Sequence, residues 1–309
     1  MVLLNHIKHI VITCCGPTGF QVLGTFLHLL DEEILSIDNI ETMYATSAGA
    51  FVSVVMCLGY DSDTLYEYFV KRPWENEFPI TSATFFNVFQ KMGMLGSEFV
   101  FKIFKPLFGG KDISLDITLE EFHQYTKKEH HFYTIDVNDS FKVHDISYKT
   151  HPELSLLKAL HMTSAVPFVF QPVFYEQMCL VDGGMKLNYP LDACLRETKC
   201  NLNEVLGITN LYEPDALEPK LLTEESSLLD MISTFSKEFM KNHSTSSEQS
   251  SIPYEIYVYN KGMSYDSFMN VLANKTNRAE AVDSGKVYGK LATQYFRSKV
   301  EIQSGITQS

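Results

Sequence analysis

The stretch that decides the fold is IETMYATSAGAFVSVVMCLGY, residues 40–60. Its first part, 40–45, reads as a buried β-strand, and the run that begins at Ala48 reads as a helix. Between them lies Ser47, with the small residues Ala45 and Gly49 two positions before and two positions after it. A larger side chain at either position would strike the neighbouring strand or helix if the turn is sharp. The pattern therefore predicts either compact packing or a turn that exposes the Ser47 hydroxyl as a nucleophile.

The same order of strand, turn and helix recurs outward from this stretch. Residues 8–15 (KHIVITCC) read as a buried strand, followed by a glycine-containing turn and a helix to about residue 32. Further predicted elements are a helix from about 119 behind a Thr118–Glu121 capping box, paired strands 131–137 and 141–147, a helix 153–162, a strand 203–210, a helix 226–240 and a strand 254–259. This alternation predicts an α/β fold with a mostly parallel central sheet flanked by helices.

The last hundred residues differ in character from the rest of the chain. They contain helical patterns and a polar loop, 243–253, and no linker sharp enough to separate a second core. We expect a catalytic domain over 1–215 and a helical C-terminal extension, 216–309, that packs on the same domain.

Composition limits the partners that the chain can have. The 309 residues carry a formal net charge of −13, so bulk electrostatics would not attract nucleic acid. The six cysteines form no CxxC pair and predict buried, reduced thiols rather than a zinc or disulfide site. No run of residues reads as a signal peptide or approaches the ~18 apolar residues of a membrane span. We expect a cytoplasmic protein whose contact with membranes, where it occurs, is peripheral.

Residues 83–110 are rich in Phe and Met, with Lys91, Lys102 and Lys105 interspersed. One interpretation is a pair of helices that caps the core. The other is a membrane-facing flap, in which apolar side chains meet acyl chains and lysines meet lipid phosphates. The sequence leaves both open.

Two further segments carry the features of a reactive site. Cys14–Gly19 lies where the first predicted strand meets the first helix, and its glycines allow backbone N–H groups to face an oxyanion or phosphate. In Leu180–Pro190, Gly183 and Gly184 follow Asp182 and allow a tight turn at a strand end. Taken singly, each segment is also consistent with a simple turn.

Together, these three segments resemble the patatin-like phospholipases, from residue 8 to about residue 210 and in the same order. The family has a glycine-rich oxyanion loop, then G-T-S-A-G-A, then Asp-Gly-Gly with Asn and Pro downstream. Residues 40–60 match its serine block, Gly19–Gly24 (GFQVLG) matches the helix after its oxyanion loop, and Ser164–Pro172 (SAVPFVFQP) matches the segment before its Asp-Gly-Gly.

The resemblance implies a lipid acyl hydrolase that uses a Ser-Asp dyad and acts on membrane lipid without a cofactor or a catalytic metal. Ser47 would be the nucleophile and Asp182 its general base. The backbone N–H groups of Cys15 and Gly16 would form the oxyanion hole. The residues that the resemblance implies as supporting this motif are Cys14, Thr18, Gly19, Ala45, Gly49, Gly183 and Gly184.

The chain departs from the family pattern in its oxyanion loop. Cys14 and Cys15 replace two of three consecutive glycines, and Thr18 replaces a basic residue. If Cys15 needs a positive φ, its strain would cost about 1 kcal/mol, and its side chain would crowd the substrate carbonyl. The alternative is therefore a catalytically weak or inactive lipid-binding pseudoenzyme of the same fold. A Ser-His-Asp hydrolase is more distant, since no histidine lies in an evident motif.

Overall fold

The computed structural model describes residues 3–78, 81–212, 221–227, 230–232, 234–235, 238–239, 251–260 and 270–306. Its strands are β1 His9–Ile12, β2 Thr42–Ala45, β3 Gly93–Leu95, β4 Glu129–Asp136, β5 Lys142–Ile146, β6 Phe168–Phe170, β7 Val173–Tyr175, β8 Met178–Asp182, β9 Val205–Tyr212 and β10 Tyr254–Asn260. Its helices are α1 Gly19–Asp31, α2 Ala48–Met56, α3 Ser62–Tyr66, α4 Trp74–Glu77, α5 Ser82–Lys91, α6 Glu98–Gly109, α7 Leu119–Thr126, α8 Leu156–Ser164, α9 Leu191–Thr198 and α10 Lys275–Ile306.

Eight strands form the central sheet, in the order β10-β9-β1-β2-β4-β8-β7, with β5 also paired to β4. The five strands from β10 to β4 run parallel to one another, and β5, β8 and β7 join by antiparallel pairs. The predicted mostly parallel sheet is confirmed. Since the carboxyl ends of parallel strands share one edge, the turns after β1 and β2 meet there.

Both faces of the sheet are covered, as side-chain alternation along β1 illustrates. Ile10 and Ile12 belong to the large core that contains α1 and α2, whereas Val11 belongs to a smaller core with Leu191 of α9. Because successive side chains of a strand point to opposite faces, this alternation places the sheet between two helical layers.

Several predicted elements occur with shifted ends. The capping box at Thr118 forms with both of its hydrogen bonds, and α7 begins at Leu119. The first strand ends at Ile12 rather than at residue 15, because the Cys14 amide donates to Asn188 outside the sheet. Within the predicted helix 226–240, the described residues from 230 onward are helical, whereas Ser226 and Ser227 are not; residues 243–250 of the predicted polar loop lie outside the described residues.

The C-terminal part of the chain is joined to the rest through the sheet and through a helix contact. β10 extends the sheet at β9, and α10 lies against α1. A Cβ built on Gly24 of α1 would lie 2.0 Å from the backbone oxygen of Val282 in α10. A division at residue 215 remains a prediction, and the central sheet contains strands from both sides of it.

Residues 83–110 combine features of both interpretations. In α6, apolar side chains such as Phe104 and Phe108 are fully buried, as expected of a helix that caps the core. In α5, Phe86 and Phe89 are 62% and 69% exposed. Among the described residues, no helix is both long enough and apolar enough to cross a bilayer.

Candidate active site

The turn between β2 and α2 holds Ser47 in an unusual backbone conformation, with φ 56° and ψ −130°. A non-glycine residue adopts a positive φ only where its surroundings enforce it. α2 begins at the next residue, so its N-terminal partial positive charge lies beside the serine. A Cβ on Gly49 would lie 2.5 Å from the Thr13 carbonyl oxygen, so the sharp turn requires glycine there.

Ser47 and Asp182 are in direct contact although they are far apart in the chain. The Ser47 hydroxyl donates a 2.5 Å hydrogen bond to Oδ2 of Asp182. The other carboxylate oxygen, Oδ1, accepts a 2.7 Å bond from the Gly184 amide, which fixes the orientation of the carboxylate. Both residues are buried, at 4% and 1% exposure. A Cβ on Gly183 would lie 2.2 Å from the Tyr133 carbonyl oxygen, so this turn also requires glycine.

Burial changes the basicity of the carboxylate. Desolvation raises the pKa of Asp182 to about 7, against the opposing effect of its hydrogen bonds from Ser47 and Gly184. A carboxylate at its ordinary pKa of ~3.9 is a weak base, whereas one near neutrality is matched to proton transfer at neutral pH.

The oxyanion loop avoids the strain that its sequence suggested. Its positive φ, 47°, falls on Gly16, and Cys15 adopts φ −121°. Cys15 therefore carries no strain from a positive φ, since its backbone lies in an ordinary region. Its side chain is fully buried on the side of Gly19, where a built Cβ would lie 3.6 Å from its sulfur. Thr18 caps the loop by donating to the Cys15 carbonyl at 2.7 Å.

The other cysteine lies against the dyad. The sulfur of Cys14 lies 4.0 Å from Oδ1 of Asp182, and a Cβ on Gly184 would be 2.4 Å from that sulfur. Burial, then the charge of Asp182, raises the pKa of Cys14 well above its ordinary value, while the Ser47 hydroxyl and the Gly16 amide oppose that rise. The thiol is therefore neutral and occupies space beside the serine.

Sequence reasoning missed residues that hold the site from a distance. The Ser47 amide donates to the Thr163 hydroxyl at 3.0 Å, and that hydroxyl donates to the Tyr133 carbonyl at 2.6 Å. The Asn210 side chain donates to the Cys14 carbonyl at 2.8 Å, and the Cys14 amide donates to the Asn188 carbonyl at 2.7 Å. Only Asn188 had a signal, as the Asn downstream of Asp-Gly-Gly.

Histidines take no part in these contacts. The side chains of Ser47 and Asp182 bond to each other, to the Gly184 amide and to Cys14, and the Ser47 amide bonds to Thr163. Among the described residues, the group that could hold a metal is His131 with Asp145 and Glu197, which is separate from these contacts.

Comparison with known proteins finds similarity over more than half of the chain. A model of the family described as patatin-like phospholipase matches residues 10–195, more than half of the chain. A probable lipid hydrolase, 463L, of Invertebrate iridescent virus 6 is 24% identical over 215 residues, which cover 67% of this chain and 71% of the viral protein. An uncharacterized protein, R571, of Acanthamoeba polyphaga mimivirus is 22% identical over 206 residues, which cover 66% of each chain.

A solved structure, VipD, shows the same fold. VipD from Legionella pneumophila superposes with a TM-score of 0.54 at 13% identity, over 94% of this chain and 67% of its own. ExoU of Pseudomonas aeruginosa, in its complex with SpcU, matches with a TM-score of 0.38 at 11% identity, and this chain spans 52% of its length. On the family match over residues 10–195, the chain belongs to the patatin-like phospholipase family.

Proposed function

We propose that this protein cleaves carboxylic esters of glycerophospholipids or lysophospholipids through a serine acyl-enzyme, with Ser47 as nucleophile and Asp182 as general base. Family membership supports the class of reaction. The observation that carries the proposal is the 2.5 Å hydrogen bond between Ser47 Oγ and Asp182 Oδ2, in a strained turn at the start of α2. A hydroxyl in direct contact with a buried carboxylate is the arrangement that activates an alcohol.

In the first half-reaction, Ser47 Oγ attacks the ester carbonyl carbon while its proton passes to Oδ2 of Asp182. The carbonyl π electrons move to oxygen and give a tetrahedral oxyanion. When this intermediate collapses, the bond to the lysolipid or glycerol oxygen breaks, and Asp182 returns the proton to that leaving oxygen. The acyl group remains on Ser47 as an ester.

In the second half-reaction, Asp182 accepts a proton from water as that water attacks the acyl-enzyme. The second tetrahedral intermediate expels Ser47 Oγ, which regains a proton from Asp182, and a fatty acid leaves. The pKa of about 7 that burial gives Asp182 suits both directions of transfer.

The proposed oxyanion hole is the pair of backbone N–H groups at Cys15 and Gly16. Gly16 supplies the positive φ that turns the loop toward the serine. The N-terminus of α2, which begins directly after Ser47, adds a partial positive charge that favours the oxyanion. One such donor is worth about 10²–10³ in rate, so the position of this loop governs turnover.

Contact with lipid is proposed to occur through residues 83–110. Phe86, Phe89, Met92 and Phe101 are 62%, 69%, 51% and 39% exposed. Lys105 lies 5.6 Å from the centre of the Phe101 ring, so a positive charge accompanies the apolar side chains. Apolar side chains with adjacent lysines are typical of helices that lie in a bilayer interface.

A second candidate function is lipid binding with little or no turnover. It is favoured by the Cys14 sulfur, which lies 4.0 Å from Asp182 and against the Ser47 hydroxyl. In the family pattern this position is glycine, so the thiol takes space that a substrate carbonyl would need.

Labelling with a fluorophosphonate tests the proposal against this alternative. We expect one adduct in the intact mass, located by peptide mapping at Ser47, and loss of phospholipid hydrolysis in Ser47→Ala and Asp182→Asn. Ser53→Ala is the matched control, since Ser53 is a buried serine of α2 whose hydroxyl donates to the Ala50 carbonyl. Absence of labelling would favour the lipid-binding alternative, and undiminished hydrolysis by Ser47→Ala would refute the assignment.

A further inference from the structure

A second cluster of reactive side chains lies on the face of the sheet that α9 covers. It joins His131 of β4, Asp145 of β5 and Glu197 of α9, one ligand atom of each lying within 4.8 Å of the others. His131 Nδ1 is 2.8 Å from Asp145 Oδ2 and 3.6 Å from Glu197 Oε2. One nitrogen and two carboxylate oxygens from three elements match the donor set of protein zinc sites.

The opposite nitrogen of the imidazole is held as it is in metal sites. His131 Nε2 is 2.8 Å from Glu129 Oε1, and Lys149 pairs with the same carboxylate at 2.6 Å. A carboxylate that accepts a hydrogen bond from Nε2–H favours the tautomer in which Nδ1, on the side of Asp145 and Glu197, can bind a metal in place of its proton. Tyr44 stacks on the ring at 4.2 Å, which fixes its orientation.

Two buried polar atoms beside the cluster have no hydrogen-bond partner among the described residues: the hydroxyl of Tyr133 and Oδ1 of Asp145. Tyr133 is 3% exposed, pairs directly with Asp145 across the β4–β5 ladder, and is two residues from His131 on the same face. Buried polar atoms are rarely left unpaired, so these two point to a ligand that completes the cluster.

We propose that His131, Asp145 and Glu197 bind a divalent cation of the zinc class, with Glu129 orienting the histidine. The charges are complementary, since three carboxylates and the one ammonium of Lys149 leave a net negative pocket that a divalent cation neutralises. Ligation joins two strands to α9, the helix that follows the Asp182–Pro190 segment. The metal is structural, and its presence is independent of the proposed hydrolysis.

The test is isothermal titration of the chelator-treated full chain with ZnCl₂, together with elemental analysis and thermal unfolding. We expect one zinc per chain and a melting temperature that rises with zinc. Glu197→Gln and His131→Asn should each abolish the rise, and Glu129→Gln should weaken binding by about 10–100-fold. Replacement by Co²⁺ should give the intense visible absorption of a four-coordinate site.

His144→Asn is the matched control, because His144 precedes Asp145 on β5 and points to the other face. It should bind zinc as the unmodified chain does. Glu197 is on a helix surface with its side chain 35% exposed, so Glu197→Gln reports on binding even where His131→Asn misfolds. No zinc uptake by the unmodified chain, or equal uptake by Glu197→Gln, would overturn the proposal.

Discussion

Asp182 is the residue whose environment matters most to the proposed chemistry. It is 1% exposed, and burial raises its pKa to about 7, so the carboxylate is half protonated near neutral pH. Only the ionised form can accept the Ser47 proton. Basicity here comes from desolvation, without a histidine between serine and carboxylate.

The pH dependence of hydrolysis follows from this. Because the protonated carboxylate is inactive, we expect kcat/KM to fall by about tenfold per pH unit below a midpoint near pH 7, and to level off above it. Initial rates on a neutral ester, measured across the acid range with the protein's fold checked by circular dichroism, give the midpoint. A rate unchanged well below neutrality would contradict Asp182 as the base.

Cys14 limits the site if its sulfur occupies the space for the carbonyl. Cys14→Gly should raise kcat/KM by about tenfold or more, as the loop amides become accessible to the oxyanion. Cys14→Ala should give a smaller gain, because it removes the sulfur but keeps the Cβ that glycine lacks. Cys194→Ala removes a buried thiol of α9, serves as the control and should match the unmodified protein. Equal rates for all three variants would show that the thiol does not obstruct catalysis.

For single residues, spacing along the chain was enough to predict part of the site. Ser47, Gly49 and Gly183 were predicted from local patterns, because a turn needs small residues at fixed offsets and a Cβ there would meet backbone atoms. Thr163 was not, because its bond to the Ser47 amide joins residues 116 positions apart. The pKa of Asp182 depends on burial, which no local motif encodes.

Among the elements, α6 fits the interpretation of residues 83–110 as a cap on the core, and α5 fits the interpretation as a membrane-facing surface. α6 turns Phe104 and Phe108 into the core, while α5 leaves Phe86 and Phe89 exposed. A helix pair was one of the two interpretations that the sequence left open, and the face that each helix buries depends on which neighbours pack there. An exposed aromatic face beside lysines is a surface suited to lipid.

Removing that face tests its role in lipid contact. The double substitution Phe86→Ser with Phe89→Ser should reduce co-sedimentation with phosphatidylcholine–phosphatidylserine vesicles at least tenfold, since each buried Phe contributes about 1.5–3 kcal/mol. Hydrolysis of a soluble short-chain ester should be unchanged. Leu291→Ser with Tyr295→Ser, exposed apolar positions of α10, is the matched control. Equal losses in both pairs would mean that α5 has no special part in binding.

Element boundaries also show where periodicity stops being informative. The apolar run 8–15 predicted a strand to Cys15, yet β1 ends at Ile12. Its backbone leaves the sheet where Cys14 donates to Asn188, a residue from a distant segment. Local apolar character is the same on both sides of this point, so only the tertiary contact sets the strand end.

In the whole molecule, the last third of the chain contributes to the same body as the motifs. Arg278 of α10 is 1% exposed and donates to the backbone carbonyls of Val70 and Arg72, which ties this helix to the segment after α3. The residue patterns of 216–309 predicted helices that pack on the same domain, but not which elements they contact. Such docking depends on close backbone approach, for which isolated glycines in a helix are the main sequence signal.

The contact between α1 and α10 gives a prediction for the stability of the whole chain. A Cβ on Gly24 would lie 2.0 Å from the Val282 backbone oxygen. To relieve this clash, one helix backbone would have to shift, which costs packing energy. Gly24→Ala should therefore lower the free energy of unfolding by about 1–3 kcal/mol, despite the better helix propensity of alanine. Gly109→Ala is the control, since nothing lies within 4 Å of its Cβ position. Because α1 starts at the oxyanion loop, Gly24→Ala should also slow hydrolysis under conditions where the chain stays folded. Equal unfolding midpoints in urea for the two variants would show that α10 does not pack on α1 in this way.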